Sequence, residues 1–186
     1  MSTKAVYDKI EFRQARVETV KEGQAFRQHT VSFDCPITEP YLIPVIHNST
    51  PSCINVPFMV EGVAYNVTSF SLQNSAGARP FGVVETDNLD AMDVSLHGQA
   101  LCTHPLFPSG ADIVFVQIEH NNLIKARLYE KEGVEPDFSE RGACAAFVAA
   151  RILDKTYGSA LVAMGGKTCC VEWDGVDGDV KLSGYE

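Results

Sequence analysis

The residues of this 186-residue chain that could do chemistry gather in one stretch, Tyr129 to Leu153, YEKEGVEPDFSERGACAAFVAARIL. Glu130, Lys131 and Glu135 lie in its charged first part. Ser139, Glu140 and Arg141 follow, directly before Gly142. A helix that opens Gly142-Ala143-Cys144-Ala145-Ala146 has almost no side chain at its start. Other backbone can pack closely there, and the free N–H groups can face a ligand. Arg141 could also bind an anion through its own guanidinium. Plainer readings stand beside this one. Ser139 suits a helix cap and Glu140 suits the positive end of the helix dipole. Glu140 and Arg141 also read as solvated loop charges, and a Glu-Lys pair at a strand end is common on any surface.

Other reactive constellations are not supported by spacing. The histidines, at 29, 47, 97, 104 and 120, form no Ser/His/Asp or His/Cys arrangement. The six cysteines, at 35, 53, 102, 144, 169 and 170, contain no Cys-x-x-Cys pair. Cys169 and Cys170 are adjacent, and successive strand residues point to opposite faces, so a tetrahedral zinc site is a poor reading. Free, mostly buried thiols in a reducing compartment are the better one.

The elements that must carry the site are mostly strands. Residues 54–60 (INVPFMV) and 63–72 (VAYNVTSFSL) read as a hairpin about Glu61-Gly62. Residues 112–119 and 123–130 alternate across His120-Asn121-Asn122, and 168–174 pairs with 179–183 across Gly175-Val176-Asp177-Gly178. Helical spacing of Leu89, Met92 and Leu96 predicts a helix over 88–101, capped by Asn88 or Asp87. The second helix, 140–155, is apolar on most faces and is expected to be buried inside a curled antiparallel sheet. Residues 1–30 are more polar and read as an arm or remnant of a first domain, with the folded domain at 31–186.

Composition narrows the partners. With 45% hydrophobic and 21% charged residues the chain reads as an ordinary soluble domain. A net charge of −9 without a basic cluster argues against nucleic acid or an anionic membrane. No run reaches the roughly 18 apolar residues that cross a bilayer. The polar N-terminus argues against a signal peptide, so a cytoplasmic location is expected.

At this point the chain resembles the diaminopimelate epimerase family. VSFDCPITEPYLIP (31–44), DNLDAMDV (87–94), HPLFPSGADIVFVQIE (104–119) and ARLYEKEGVEPDFSERGACAAFVAARIL (126–153) carry the likeness, with VEWDG (171–175) and SGYE (183–186) at the end. It covers roughly residues 31–186 and matches the family's C-terminal half. The resemblance implies an α+β fold of two similar domains, each a curled antiparallel or mixed sheet wrapped around a central buried helix, with the second helix outside. One such domain is expected here, without the half that carries the first catalytic cysteine.

The resemblance implies racemisation without a cofactor, in which one thiolate removes an α-proton and a thiol on the opposite face returns one. Ser139 stands at the second cysteine, and an alcohol is a far weaker base than a thiolate unless activated. Glu140 and Arg141 replace the glycine and small hydroxyl residue whose N–H groups cradle a carboxylate, next to Gly142. Glu130 retains the glutamate that holds the substrate amino group. Lys131 replaces a carboxylate-clamping arginine, keeping charge and losing the bidentate fork. Glu135 matches a loop glutamate. The family's Asn-Pro-His element falls on Arg79-Pro80-Phe81, or, with an insertion, its asparagine falls on Asn74. Asp112 stands where the family has another asparagine.

Two functions follow. One is a cofactor-independent isomerase or cyclase acting on a small carboxylate or amino acid other than diaminopimelate. Ser139, Glu130 and Asp112 would be its acid–base groups, and Lys131, Glu135, Glu140, Arg141, Gly142, Arg79 and Asn74 its ligand contacts. The other is a non-catalytic half-epimerase that binds a ligand or partner. Either way, a homodimer mate or a separate chain supplying the missing domain is expected, because a lone domain exposes the surface its sister covers. No cofactor and no metal are expected.

Overall fold

A computed structural model describes residues 16–17, 29–46, 52–73, 78–119 and 122–184. Its described strands are β1 (Arg16–Val17), β2 (His29–Phe33), β3 (Val56–Val60), β4 (Val63–Phe70), β5 (Phe81–Glu85), β6 (Asp112–Glu119), β7 (Leu123–Tyr129), β8 (Ser159–Met164), β9 (Lys167–Glu172) and β10 (Val180–Gly184). Helix α1 is Val94–Cys102 and helix α2 is Glu140–Ile152. The strands form one mixed sheet in the order β1-β2-β10-β9-β8-β7-β6-β5-β4-β3. β5 runs parallel to β6 and β7 parallel to β8; every other pairing is antiparallel. Each parallel pair is joined through a helix, as parallel neighbours require.

The two helices cover opposite faces of the central strands. Phe81, Val83, Val114, Val116, Ala126 and Leu128 pack in the core that holds α2. Val84, Ile113, Phe115 and Tyr129 pack in the core that holds Val94 and Leu101 of α1. With both faces covered, β6 is buried continuously from Asp112 to Val116. Helix α2 packs against every strand from β5 to β10, and residues 142–150 are all buried. Glycine and alanine on nearly every face let those strands approach from several sides at once.

The hairpin over 54–72 forms as β3–β4, with Glu61 and Gly62 both at positive φ in its turn. The pairs over 112–130 and 168–183 also form, as β6–β7 and β9–β10. Two strands, β5, which is buried, and β8, which alternates between exposed and buried residues, have no sequence expectation behind them. Both are short, and in each one partner is parallel. From the 1–30 stretch, β1 and the first residues of β2 join the sheet, and most of the rest lies outside the described residues.

One helix start is corrected. The helix expected over 88–101 begins at Val94, and its cap is Asp93, whose Oδ1 accepts from the Leu96 N–H at 3.0 Å. The expected cap, Asn88, closes a tight turn instead, accepting from the Ala91 N–H at 3.1 Å. Tertiary partners take the backbone groups that another helical turn would use. Leu89 N–H donates to Gln117 at 2.8 Å, and the carbonyls of Leu89 and Met92 accept from Arg127. The second helix ends at Ile152, short of 155, where Asp154 takes a left-handed φ of 55°. Among the described residues no helix is long and apolar enough to cross a membrane.

Candidate functional site

Strand register assembles the site at the N-terminal end of α2. Phe81 pairs with Asp112, and Ile113 with Tyr129. One step past that last pair, Asp112 and Glu130 lie side by side on neighbouring strands. Side chains alternate along a strand, and Leu128 and Val114 face α2, so Glu130 and Asp112 project to the α2 side as well. Phe81 does the same, and the Arg141 guanidinium lies over its ring at 5.1 Å. Three strand ends and one helix start therefore bring Arg79, Asp112, Glu130, Lys131 and Arg141 together.

Most of these charges are already matched. Arg79 NH1 donates to both carboxylate oxygens of Glu132, at 2.6 and 2.7 Å, and approaches Asp112 Oδ1 at 3.4 Å. Glu132 holds the Arg79 guanidinium above its ordinary value, and Arg79 in turn holds the Glu132 carboxyl below its own. Asp112 is 4% exposed, and its Oδ1 also accepts from the Lys131 N–H at 3.1 Å. The Lys131 ammonium donates to the Ser109 carbonyl. A tight turn follows, in which Gly133 N–H donates to the Glu130 carbonyl and Glu130 N–H to that of Val134.

Two groups are not matched. Among the described residues, neither Arg141 nor Glu130 has an ion-pair partner within 4.0 Å. The Arg141 Nε is buried with no hydrogen-bond acceptor. Burial pushes this guanidinium below its ordinary value; Asp112 opposes the shift, Arg79 adds to it and Glu130 opposes it. A buried guanidinium donor left unsatisfied costs roughly 1–3 kcal/mol, so an anion arriving there would recover stability.

Ser139 is the helix cap, with extended backbone (φ −143°, ψ 122°) and its Oγ accepting from the Gly142 N–H at 3.1 Å. That bond closes part of the amide cradle that a ligand carboxylate would use. Gly142 is pressed by Leu128, Met164 and Ser139, each 3.1–3.3 Å from where a Cβ would stand. Glu140, in the first turn, bears electrostatically on the buried thiols of Cys144 and Cys169. Glu135 is not brought to this cluster. It pairs with Arg127 at 2.6 Å and lines a separate groove of about 550 Å³ with Asp90, Lys125 and Asp137. Asn74 lies outside the described residues.

The sequence reading missed Glu132 as the partner of Arg79 and Phe81 as the platform under Arg141. The triplet Glu130-Lys131-Glu132 held a signal for the first, since three charges in a turn need partners. His104 is structural: its ring stacks on Phe58 at 4.6 Å, and burial lowers its pKa. All six cysteines are free. Among the described residues, no group of three or more His, Cys, Asp or Glu residues is placed to hold a metal ion.

No family model matches the chain. The diaminopimelate epimerase of Leptospira biflexa is 30% identical over 155 residues, covering 83% of this chain and 53% of that protein. That of Xylella fastidiosa is 29% identical over 157 residues, covering 84% and 53%. Among solved structures, a hydroxyproline epimerase from Agrobacterium vitis superimposes with a TM-score of 0.59 at 12% identity, covering 92% of this chain and 52% of that one. A probable proline racemase from Agrobacterium radiobacter gives 0.56 at 14%, covering 92% and 54%. These two likenesses show the fold. The chain is thus a homologue of the diaminopimelate epimerases, spanning about half the length of the curated relatives it matches.

Proposed function

We propose that the protein is a cofactor-independent isomerase of racemase or epimerase type, acting on a small amino acid or carboxylate other than diaminopimelate. One observation carries this: an unpaired cation, Arg141, and an unpaired carboxylate, Glu130, stand together at the start of α2. Neighbouring opposite charges suit a zwitterion, with its carboxylate on Arg141 and its ammonium on Glu130. Arg79 stands beside the same mouth with its charge taken by Glu132 and Asp112, and Lys131 contributes its backbone there while its ammonium binds the Ser109 carbonyl. In this reading the sheet curls around α2, so that the helix start opens toward the ligand.

Proton transfer at an α-carbon needs an acid–base group in contact with it. Ser139 accepts the Gly142 N–H on its oxygen and keeps its own proton to donate toward the ligand. Glu130 holds the ammonium at the mouth, and Asp112 stands behind it. Gly142 keeps the helix start narrow, and Glu140 adds negative charge beside it. The opposite face of the α-carbon would come from a second such domain. The curated relatives are about twice as long as the matched stretch.

The test is exchange of α-protons in heavy water over a panel of amino and hydroxy acids, with sedimentation run in parallel. Exchange lost in Ser139→Ala and Glu130→Gln supports the isomerase. A stable monomer that exchanges no proton removes it.

A second reading, a non-catalytic half-epimerase that binds a ligand or partner, has its own observation. The thiol position is filled by a serine whose oxygen is committed to capping. The thiol in the helix itself, Cys144, is fully buried, with a pKa pushed well above its ordinary value, so it cannot serve as a thiolate base.

A further inference from the structure

We propose that Asp112 is a positioning residue that holds Glu130 at the mouth through the backbone of Lys131; this rests on the zwitterion reading of Arg141 and Glu130. Asp112 begins β6 and is buried. Its Oδ1 binds the Lys131 N–H at 3.1 Å and the Arg79 guanidinium at 3.4 Å. Three segments that are distant in sequence meet on that atom: the run into β5, the start of β6 and the turn after β7.

Without this tie, nothing in the ladder fixes residue 130, because the last β6–β7 pair is Ile113–Tyr129. The turn is closed by its own backbone bonds between Glu130, Gly133 and Val134, and its side chains Glu132 and Lys131 are held by Arg79 and by the Ser109 carbonyl. Asp112 and Glu130 also lie side by side, and adjacent like charges repel. Arg79 absorbs that repulsion by taking Asp112 and Glu132 together. Glu130 is then left as the carboxylate available to an ammonium. Lys131 is turned away, its ammonium on the Ser109 carbonyl.

Asp112→Asn keeps an Oδ1 acceptor for Lys131 N–H, and Asp112→Ala removes it. The first readout is amide exchange of Lys131 in the ligand-free protein. Protection should survive in D112N and fall about tenfold in D112A, the effect of one hydrogen bond to a charged group. The second is binding of alanine and of propionate. D112A should weaken alanine about tenfold and leave propionate, which uses Arg141 alone, unchanged. Equal weakening of both ligands, or unchanged Lys131 protection in D112A, overturns the proposal. A wild-type protein that binds neither ligand refutes the zwitterion reading, whereas lost Lys131 protection in D112A with alanine affinity unchanged leaves that reading standing and overturns the proposed positioning of Glu130. Should D112A fail to fold, D112N decides: it keeps the Oδ1 acceptor, so Lys131 protection and the ratio of alanine to propionate affinity must stay within about twofold of wild type, and loss of either overturns the proposal.

Discussion

Replacing Ser139 separates its two roles, because one depends on a lone pair and the other on a hydroxyl proton. Its Oγ accepts from the Gly142 N–H at 3.1 Å, and Gly142 is buried at the start of a helix that is itself buried along residues 142–150. Losing an N-cap costs about 1 kcal/mol, within a range of roughly 0.5–2. A buried N–H left without an acceptor costs roughly 1–3 kcal/mol. Water can reach the open mouth and offset part of that, so Ser139→Ala should lose about 1–2 kcal/mol. At about 2–4 °C per kcal/mol for a chain of this length, the melting point falls by roughly 3–6 °C. Ser139→Asp keeps the acceptor and suits the helix dipole, so it should stay within about 0.5 kcal/mol of wild type. It places a second negative charge beside Glu140, however, and should abolish carboxylate binding. Urea denaturation with an unchanged m-value reads the stability terms, and calorimetric titration reads binding. A loss below about 0.3 kcal/mol in S139A would refute the capping argument. So would equal destabilisation in S139D.

Arg141→Met should leave stability unchanged or raise it, because it removes a desolvated cation with an orphaned Nε while an apolar chain can still cover Phe81. The same variant should lose carboxylate affinity about tenfold or more; a destabilised protein with intact affinity contradicts both halves. Gly165→Ala should cost more than about 3 kcal/mol by urea denaturation. Its Cβ would lie 1.7 Å from the Asp137 carbonyl oxygen, at a φ of 54°, and a wild-type midpoint would rule out that close approach. Burial raises the Cys53 thiol to about 11 and the Cys169 thiol to about 12. The unfolded chain releases these protons from pH 9 upward while the folded chain holds them. Stability should therefore be flat below about pH 8 and fall through pH 9 to 12, and the native thiols should resist alkylation at pH 8. A stability that rises over that range would reverse the sign of the argument.

The sequence by itself determined those elements whose signal is local. The Glu61-Gly62 turn, the alternation over 112–130 and the turn at 175–178 each name a hairpin, because two strands joined by a tight turn find one another without outside help. The small-residue run after Ser139 named a buried helix, and Ser139 named its cap. Strand β5 was not legible, since a short strand packed on both faces has no alternation to read; β8 does alternate in burial, but after Ser159 its outward positions, Leu161 and Ala163, are apolar and hide the pattern. Nor was the true start of α1, where Gln117 and Arg127 take the backbone groups of residues 89–92.

At the site, sequence placed Glu130, Lys131, Ser139 and Arg141 within one loop but could not say which charges were already spent. Tertiary structure decided that. It gave Glu135 to Arg127 and Glu132 to Arg79, and it tied Asp112 to the backbone of Lys131. The reason is one of range. A charge in a turn has many partners within reach along the chain, and only the register of β5, β6 and β7 fixes which one lies at hydrogen-bond distance. What remains unmatched after that selection, Arg141 and Glu130, is a property of the fold and not of any sequence motif.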